Sequence, residues 1–379
     1  MSALRGRLLV DGKLLTGTVA WSGDRIESVA VEGEIGGADL PVVAAGLVDL
    51  HVHGFGGCDP IEDLAGMAGA LARAGTTSFQ PTLFPAAPSA LGEQCAALWG
   101  VAARSVAGAR VVGLHLEGPF VNPEAAGALP VADLATPSTR SLRDILGPAS
   151  GGGRGIRTMT LAPELPGGSD LVAELVRSGV RVSLGHSRAN ASEARAAARA
   201  GASGATHLFN AMRPWHHREA GLAGFALTDA ALFAEIIGDL VHVGPEAFEL
   251  ALRARGASGL CLVSDALRGA GTGCDRFGWH GREHVVRDGA AFYPAAQPGS
   301  PPRLAGSACS QLEMIRRLVS RGVVGLAEAL TMASATPARA LGLERELGEL
   351  RPGLAADLLV LRGKELEIEQ VFVRGKALI

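Results

Sequence analysis

Eight short apolar, β-branched runs spaced along the middle of the chain constrain its fold more than any other feature. They fall at residues 47–50, 76–79, 111–114, 158–161, 180–184, 205–209, 234–237 and 260–263, and Ala-rich helical patterns separate most of them. One such pattern follows Asn190, which with Glu193 three residues on forms a reciprocal N-terminal cap for a helix over 194–200. Strands that alternate with helices in this way build parallel sheets, and eight of them build a (β/α)8 barrel, which typically takes about 250 residues. An open doubly wound sheet competes with this reading. It usually carries a glycine-rich phosphate turn that opens a helix after its first strand, and Gly54-Phe55-Gly56-Gly57 opens no clear helical pattern.

The two ends read differently. Residues 8–10 and 13–15 flank Asp11-Gly12, a hairpin dipeptide, and strand patterns continue at 18–21 and 26–31. The C-terminal stretches 356–361 and 371–375 have the same character. The expected fold is therefore α/β: a (β/α)8 TIM-like barrel over 46–345, and a small β domain built from both termini, 1–45 and 346–379. Pairing between N- and C-terminal strands would close that domain.

Composition removes other classes. With 379 residues the chain has ample core for a large domain and an accessory one. A net charge of −3 gives no general electrostatic grip on nucleic acid or an anionic membrane. No apolar run approaches the roughly 18–20 residues of a membrane span. Five cysteines (58, 95, 261, 274 and 309) are scattered without a CxxC pair, which fits neither a disulfide framework nor a thiolate zinc site. The start Met1-Ser2-Ala3-Leu4-Arg5 lacks an apolar block with a cleavage site, so the expected location is the cytoplasm.

The chemistry concentrates at strand ends. His51-Val52-His53 follows the first strand, Glu117 ends the third, His186 ends the fifth, His207 lies on the sixth and Asp265 ends the eighth. Residues two apart on a strand share a face, so His51 and His53 point together. A barrel gathers the C-terminal ends of its strands at one mouth, where these stations would converge. Taken singly, an HxH pair is more often packing than a metal site, and an Asp after a strand is usually a cap. His115, two residues before Glu117, is assigned to a layer of barrel packing. Four histidines and two carboxylates in register with one barrel are another matter. Imidazole and carboxylate donors without thiolates suit Zn²⁺ or a similar divalent ion, one or two per subunit. Such an ion lowers the pKa of water and polarises a carbonyl, the two needs of amide hydrolysis. Asp265 is not needed to complete a four-ligand shell and is free to act as general base and then general acid.

At these residues the sequence resembles the amidohydrolase superfamily and, within it, the N-acetylglucosamine-6-phosphate deacetylases. The matching stretches are GLVDLHVHG from Gly46, HLEGPF from His115, Gly185-His186-Ser187, THLFNAM from Thr206, REAGLAG from Arg218, GDLVHV from Gly238, LVSDA from Leu262 and GLAADLL from Gly353. The resemblance implies that Glu117, His186 and His207 hold the principal metal, and that Asp265 is the catalytic acid/base. His51 and His53 leave room for a second ion. It also implies that Arg218 and His242 grip the sugar phosphate, with Arg218 reaching into a neighbouring subunit of a homodimer, and that Asn210 and Ala211 lie around phosphate and sugar. One position departs from the pattern. Family members usually carry a histidine twelve residues after the metal-binding glutamate, where it polarises the acetamide carbonyl; here Leu129 stands there. A leucine cannot donate a hydrogen bond to an oxyanion. The expected reaction is removal of the acetyl group from an amino-sugar phosphate, by default N-acetylglucosamine 6-phosphate. The alternatives are an amidohydrolase acting on a different N-acyl or cyclic amide, or a sugar-phosphate-binding protein whose catalysis has lapsed.

Overall fold

A computed structural model describes residues 1–33, 39–104, 107–147, 154–294 and 302–379. The eight barrel strands are β1 (Leu47–Val52), β2 (Thr76–Leu83), β3 (Leu114–Glu117), β4 (Ile156–Leu161), β5 (Arg181–Leu184), β6 (Gly204–Ala205), β7 (Phe233–Ile237) and β8 (Leu260–Val263). Each pairs in parallel with the next in that order. The seam between β8 and β1 is stitched at both levels. At the mouth, Asp265 N donates to His51 O at 2.8 Å and His53 N to Ala266 O at 2.9 Å. Deeper in, the Gln311 side-chain amide donates to Val48 O at 3.1 Å and Leu262 O at 2.7 Å. The sequence thus closes the ring with a buried glutamine where strand pairing lapses.

Two of the expected strands are shorter than their apolar runs. The run at 111–114 is broken at Gly113, whose φ of +127° only glycine adopts readily; Arg110–Val111 pairs with β2 before the break and β3 begins after it. The run at 205–209 ends as a strand at Ala205, because His207 (φ +31°) and Phe209 (φ +75°) turn the chain while Leu208 N donates to Glu235 O at 2.7 Å. His207 therefore lies just past β6 rather than on it. The helix after β5, Ala191–Arg199, carries the expected reciprocal cap: Asn190 accepts from the Glu193 amide at 3.0 Å, and Glu193 accepts from the Asn190 amide at 2.8 Å.

Both termini share one seven-stranded sheet. Its order is Lys376–Ala377, Glu367–Val373, Leu358–Arg362, Val42–Ala45, Ser2–Val10, Lys13–Ser22 and Arg25–Gly33. Val42–Ala45 joins the two ends, parallel to the first strand and antiparallel to Leu358–Arg362. Asp11 and Gly12, both at positive φ, close the first hairpin, and Trp21 packs edge-on against Phe372 in a core of its own.

A third sheet has no counterpart in the expected architecture. Arg276–Trp279, Arg282–Arg287, Ala290–Tyr293 and Arg303–Ser307 form an antiparallel insertion between β8 and the helix Gln311–Ser320. It stands over one side of the barrel mouth. Among the described residues no helix is long and apolar enough to cross a membrane.

Candidate active site

The barrel interior beneath the mouth is lined by hydroxyls instead of hydrocarbon alone. His115 is fully buried, with Nδ1 3.0 Å from Leu50 O and Nε2 2.8 Å from Thr160 Oγ1, and Thr160 continues to Thr206 and Thr206 to Ser183. Burial pushes the His115 imidazole down to about 3, so it stays neutral and serves as a packing and hydrogen-bonding member of this layer.

Above that layer the strand ends bring His51, His53, Glu117, His186 and His207 together. Glu117 is the hub. Its Oε1 lies 3.3 Å from His51 Nε2, 3.0 Å from His186 Nε2 and 3.1 Å from His207 Nε2, and its Oε2 lies 3.2 Å from His53 Nε2. Two donor groups share Glu117, His51–His53–Glu117 and Glu117–His186–His207, and a third, His51–His115–Glu235, lies beside them. Asp265 Oδ1 stands 3.6 Å from the Nε2 atoms of both His51 and His53.

The tautomers show what this cluster is built to hold. His186 Nδ1 faces the Ala125 carbonyl at 2.9 Å, which can only accept, so Nδ1 carries a hydrogen. In the neutral ring Nε2 is then a bare lone pair aimed at a carboxylate oxygen and, 3.0 Å away, at His207 Nε2. Acceptors facing acceptors in a buried site are unfavourable unless a cation lies among them. Without one, protons must serve: burial opposes charge on His51, but Glu117 and Asp265 override it and hold His51 well above its ordinary pKa. Burial likewise pushes Glu117 up, and His51 and His186 pull it well below the usual carboxylate range. The donor set fits a divalent cation.

Backbone strain accompanies the site. His186, His207 and Asp265 all have positive φ, at +46°, +31° and +46°. For residues with a Cβ this conformation costs about 1–3 kcal/mol each, and it aims the three side chains back over the barrel mouth.

The supporting partners differ from one histidine to the next. His53 is clamped by a parallel stack on Phe84, ring centroids 4.0 Å apart. His51 Nδ1 lies 3.2 Å from Glu235 Oε2, with both groups almost completely buried. Glu235 was not among the residues expected to matter. Its signal in the sequence is a lone carboxylate inside the apolar strand β7.

A cavity of about 130 Å³ opens on the cluster, bounded by Leu129, Asn210, Ala211, His242 and Asp265 with the histidines. His242 Nδ1 is held by Asp239 Oδ2 at 2.6 Å. Burial works against its charge, but Asp239 and the nearby Asp265 raise its pKa, which favours the imidazolium. Arg218 stands apart: it is exposed, on a loop beside His217, and does not border the cavity of its own chain.

The amidohydrolase family model matches residues 42–378, a span that includes every residue of this cluster. The chain belongs to the amidohydrolase family. Within that family it is similar to N-acetylglucosamine-6-phosphate deacetylase of Rattus norvegicus, 35% identical with 88% of this chain and 83% of the relative covered. It is 33% identical to N-acetylgalactosamine-6-phosphate deacetylase of Escherichia coli O157:H7, covering 89% of this chain and 88% of the relative. Among solved structures it resembles a mutant N-acetyl-D-glucosamine-6-phosphate deacetylase of Mycobacterium smegmatis in complex with N-acetyl-D-glucosamine-6-phosphate. That match has a TM-score of 0.88 at 30% identity and covers 100% and 99% of the two chains. As a member of this family the chain is a hydrolase, and its buried His/Glu clusters suit the family's use of divalent metal.

Proposed function

We propose that this amidohydrolase removes the acetyl group from an N-acetylhexosamine 6-phosphate, by default N-acetylglucosamine 6-phosphate, giving the amine and acetate. The observation that carries the reading is the small cavity itself. It joins the Glu117 cluster and Asp265 on one wall to Asn210, Ala211 and His242 on another, so one ligand can reach both. Relatives named for the gluco and galacto substrates leave the epimer open to assay.

Glu117, His186 and His207 would hold the principal ion, with His51 and His53 completing a second position, and zinc suits these donors. The bound ion would supply an acidified water and a polarised carbonyl. Asp265 takes the proton from the attacking water as the carbon–oxygen bond forms. It returns that proton to the nitrogen as the carbon–nitrogen bond breaks, so the amine leaves neutral. His242, its Nδ1 occupied by Asp239, has Nε2–H left to donate to the phosphate. Asn210 and Ala211 seat the sugar beside it. Arg218 is exposed and does not border its own chain's cavity, which leaves it available to a second subunit of a dimeric working unit. A cytoplasmic enzyme with the terminal segments 1–45 and 346–379 as a β domain and 46–345 as the catalytic barrel completes the proposal.

A second reading has one specific observation in its favour. Leu129 is almost completely buried, at 5% exposure, in the cavity wall where relatives are expected to present a histidine, and this points to an acyl group other than acetyl.

The test is acetate release from N-acetylglucosamine 6-phosphate and its galacto epimer, with protein stripped by chelator and then reloaded. Activity that disappears with the metal and returns with zinc is the expected result. Absence of acetate release from both epimers by the metal-replete protein would overturn the proposal.

A further inference from the structure

A second and larger cavity, about 530 Å³, adjoins the catalytic one and has no part in the reaction described above. Its apolar walls are Phe84, Pro85, Pro130, Leu267, Trp279 and Tyr293. The two cavities share His53, Phe84, Ala128 and Ala305, so they meet beside the HxH pair. The segment 127–130 partitions them: Gly127 and Leu129 face the small one, Pro130 the large one, and Ala128 both. Leucine at position 129 makes that partition apolar.

Topology sets the direction. The large cavity is bounded by chain that follows β1, β2 and β3 and by the inserted sheet; the residues proposed to seat the sugar phosphate follow β6 and β7. In an eight-strand ring β2 lies across from β6. A scissile amide has two substituents, which leave the carbonyl group on opposite sides. With the sugar toward Asn210 and His242, the acyl chain points toward Phe84 and the larger cavity.

Most polar groups next to the aromatic wall are engaged or uncharged, while Glu62, Gln94 and Asp133 also line the cavity. Asp59 accepts from the amides of Ile61 and Glu62 and from Trp279 Nε1 at 2.9 Å. The Arg282 guanidinium lies over the Tyr293 ring, 5.3 Å from its centroid, and burial lowers the pKa of both His280 and His284. Phe84 continues the aromatic wall from His53 to Trp279, with ring centroids 5.3 Å apart. Cavities of this size hold whole small molecules, far more than a methyl group requires.

We infer that this cavity is an acyl subsite, and that the enzyme accepts N-acyl groups several carbons longer than acetyl. The inference rests on the proposed hydrolysis of an amino-sugar phosphate and specifies its acyl side. The reaction is otherwise unchanged: water adds to the carbonyl, the carbon–nitrogen bond breaks, and a longer carboxylate replaces acetate.

The experiment compares N-acetyl-, N-butyryl- and N-hexanoylglucosamine 6-phosphate on the metal-replete full chain. Two extra buried methylenes are expected to raise kcat/KM for the butyryl substrate roughly tenfold over acetyl. A butyryl value below the acetyl value overturns the inference. Ala86 borders the large cavity and not the small one, so Ala86→Trp should remove the butyryl advantage and leave acetyl turnover as it was. An equal fall on both substrates overturns it, and Ala86→Leu provides the same comparison with a smaller side chain. Calorimetry with straight-chain carboxylates from acetate to hexanoate separates the two levels of the argument. Affinity that climbs with chain length, without turnover of any sugar phosphate, retires the substrate reading and leaves the subsite standing. Turnover of the acetyl substrate with flat carboxylate affinity does the reverse.

Discussion

Replacing Glu235 should weaken one metal position and spare the other. The carboxylate touches the site through a single hydrogen bond, Oε2 to His51 Nδ1 at 3.2 Å, and His51 belongs to the His51–His53–Glu117 group and not to Glu117–His186–His207. Burial by itself would push Glu235 up, but the bond to His51 and the charges around it hold it below its ordinary pKa, so it meets the ring as an anion. An anionic acceptor fixes the His51 tautomer and raises the basicity of Nε2. Glu235→Gln keeps an acceptor and loses the charge, which sets the expected loss at the low end of the usual range for such partners, about tenfold in affinity. Glu235→Leu also strands a buried N–H, and the loss should approach about 100-fold, or roughly 2.7 kcal/mol. The assay is competitive titration of chelator-stripped protein with zinc, resolving the two positions by stoichiometry and following each variant's fold by circular dichroism. The graded order wild type, Gln, Leu at one position, with the Glu117–His186–His207 position unchanged, is the expected result. A folded Leu variant that titrates like wild type, or one that weakens both positions equally, refutes the reasoning.

Four other substitutions probe the rest of the site. Asp265→Asn should cut turnover by about 10²–10⁴ and leave the zinc at Glu117–His186–His207 in place, measured by steady-state kinetics and metal analysis together. Leu129→His should raise kcat on N-acetylglucosamine 6-phosphate, by up to about 10²-fold if a missing oxyanion donor limits the rate, with little change in KM; unchanged kcat in a folded variant removes that explanation. Because Asp239 and Asp265 hold the His242 pKa above its ordinary value, KM for the phosphorylated substrate should stay flat through pH 6.5 and rise only at higher pH. The same bond stabilises the fold below the unfolded pKa and is lost as pH climbs through the raised one, so Asp239→Asn should bring both changes to lower pH. Arg218→Ala should raise KM for the sugar phosphate far more than for an unphosphorylated analogue, and a fully active monomer by light scattering would remove the basis for that expectation.

The sequence exposed the barrel because parallel strands buried on both faces leave continuous apolar runs, and it exposed the terminal sheet through Asp11-Gly12 and its neighbours. It exposed the His/Glu cluster because imidazole and carboxylate groups are out of place at the ends of apolar strands. What stayed hidden has physical reasons too. The inserted sheet is made of four-to-six-residue strands, three of which carry exposed arginines, and Ala290–Tyr293 is its one apolar run, too short to stand out. Its turns at His280-Gly281 and Asp288-Gly289, all at positive φ, carry the hairpin signature that would have found it. Glu235 was hidden because its partner comes from β1, on the far side of β8 in the ring and 184 residues away in sequence, and no local spacing connects them. The strained φ values of His186, His207 and Asp265 are equally invisible, since an αL turn at a non-glycine residue leaves no mark in composition.

The position of Asp265 ties the number of bound ions to the role this residue can play. Its Oδ1 sits 3.6 Å from His51 Nε2 and 3.6 Å from His53 Nε2, on the side of the HxH pair, while His186 and His207 approach Glu117 Oε1 from the other group. An ion held by Glu117, His186 and His207 alone would leave the Asp265 carboxylate free to take a proton from water. An ion held by His51 and His53 as well would find the same oxygen beside its donors and could recruit it as a ligand, at the expense of its work as a base. Loading the second position should therefore lower kcat. Glu235, which supports that second position through His51, would then tune the rate without touching the substrate. A kcat that does not change between one and two equivalents of zinc would separate Asp265 from the second ion and leave it a general base under both conditions.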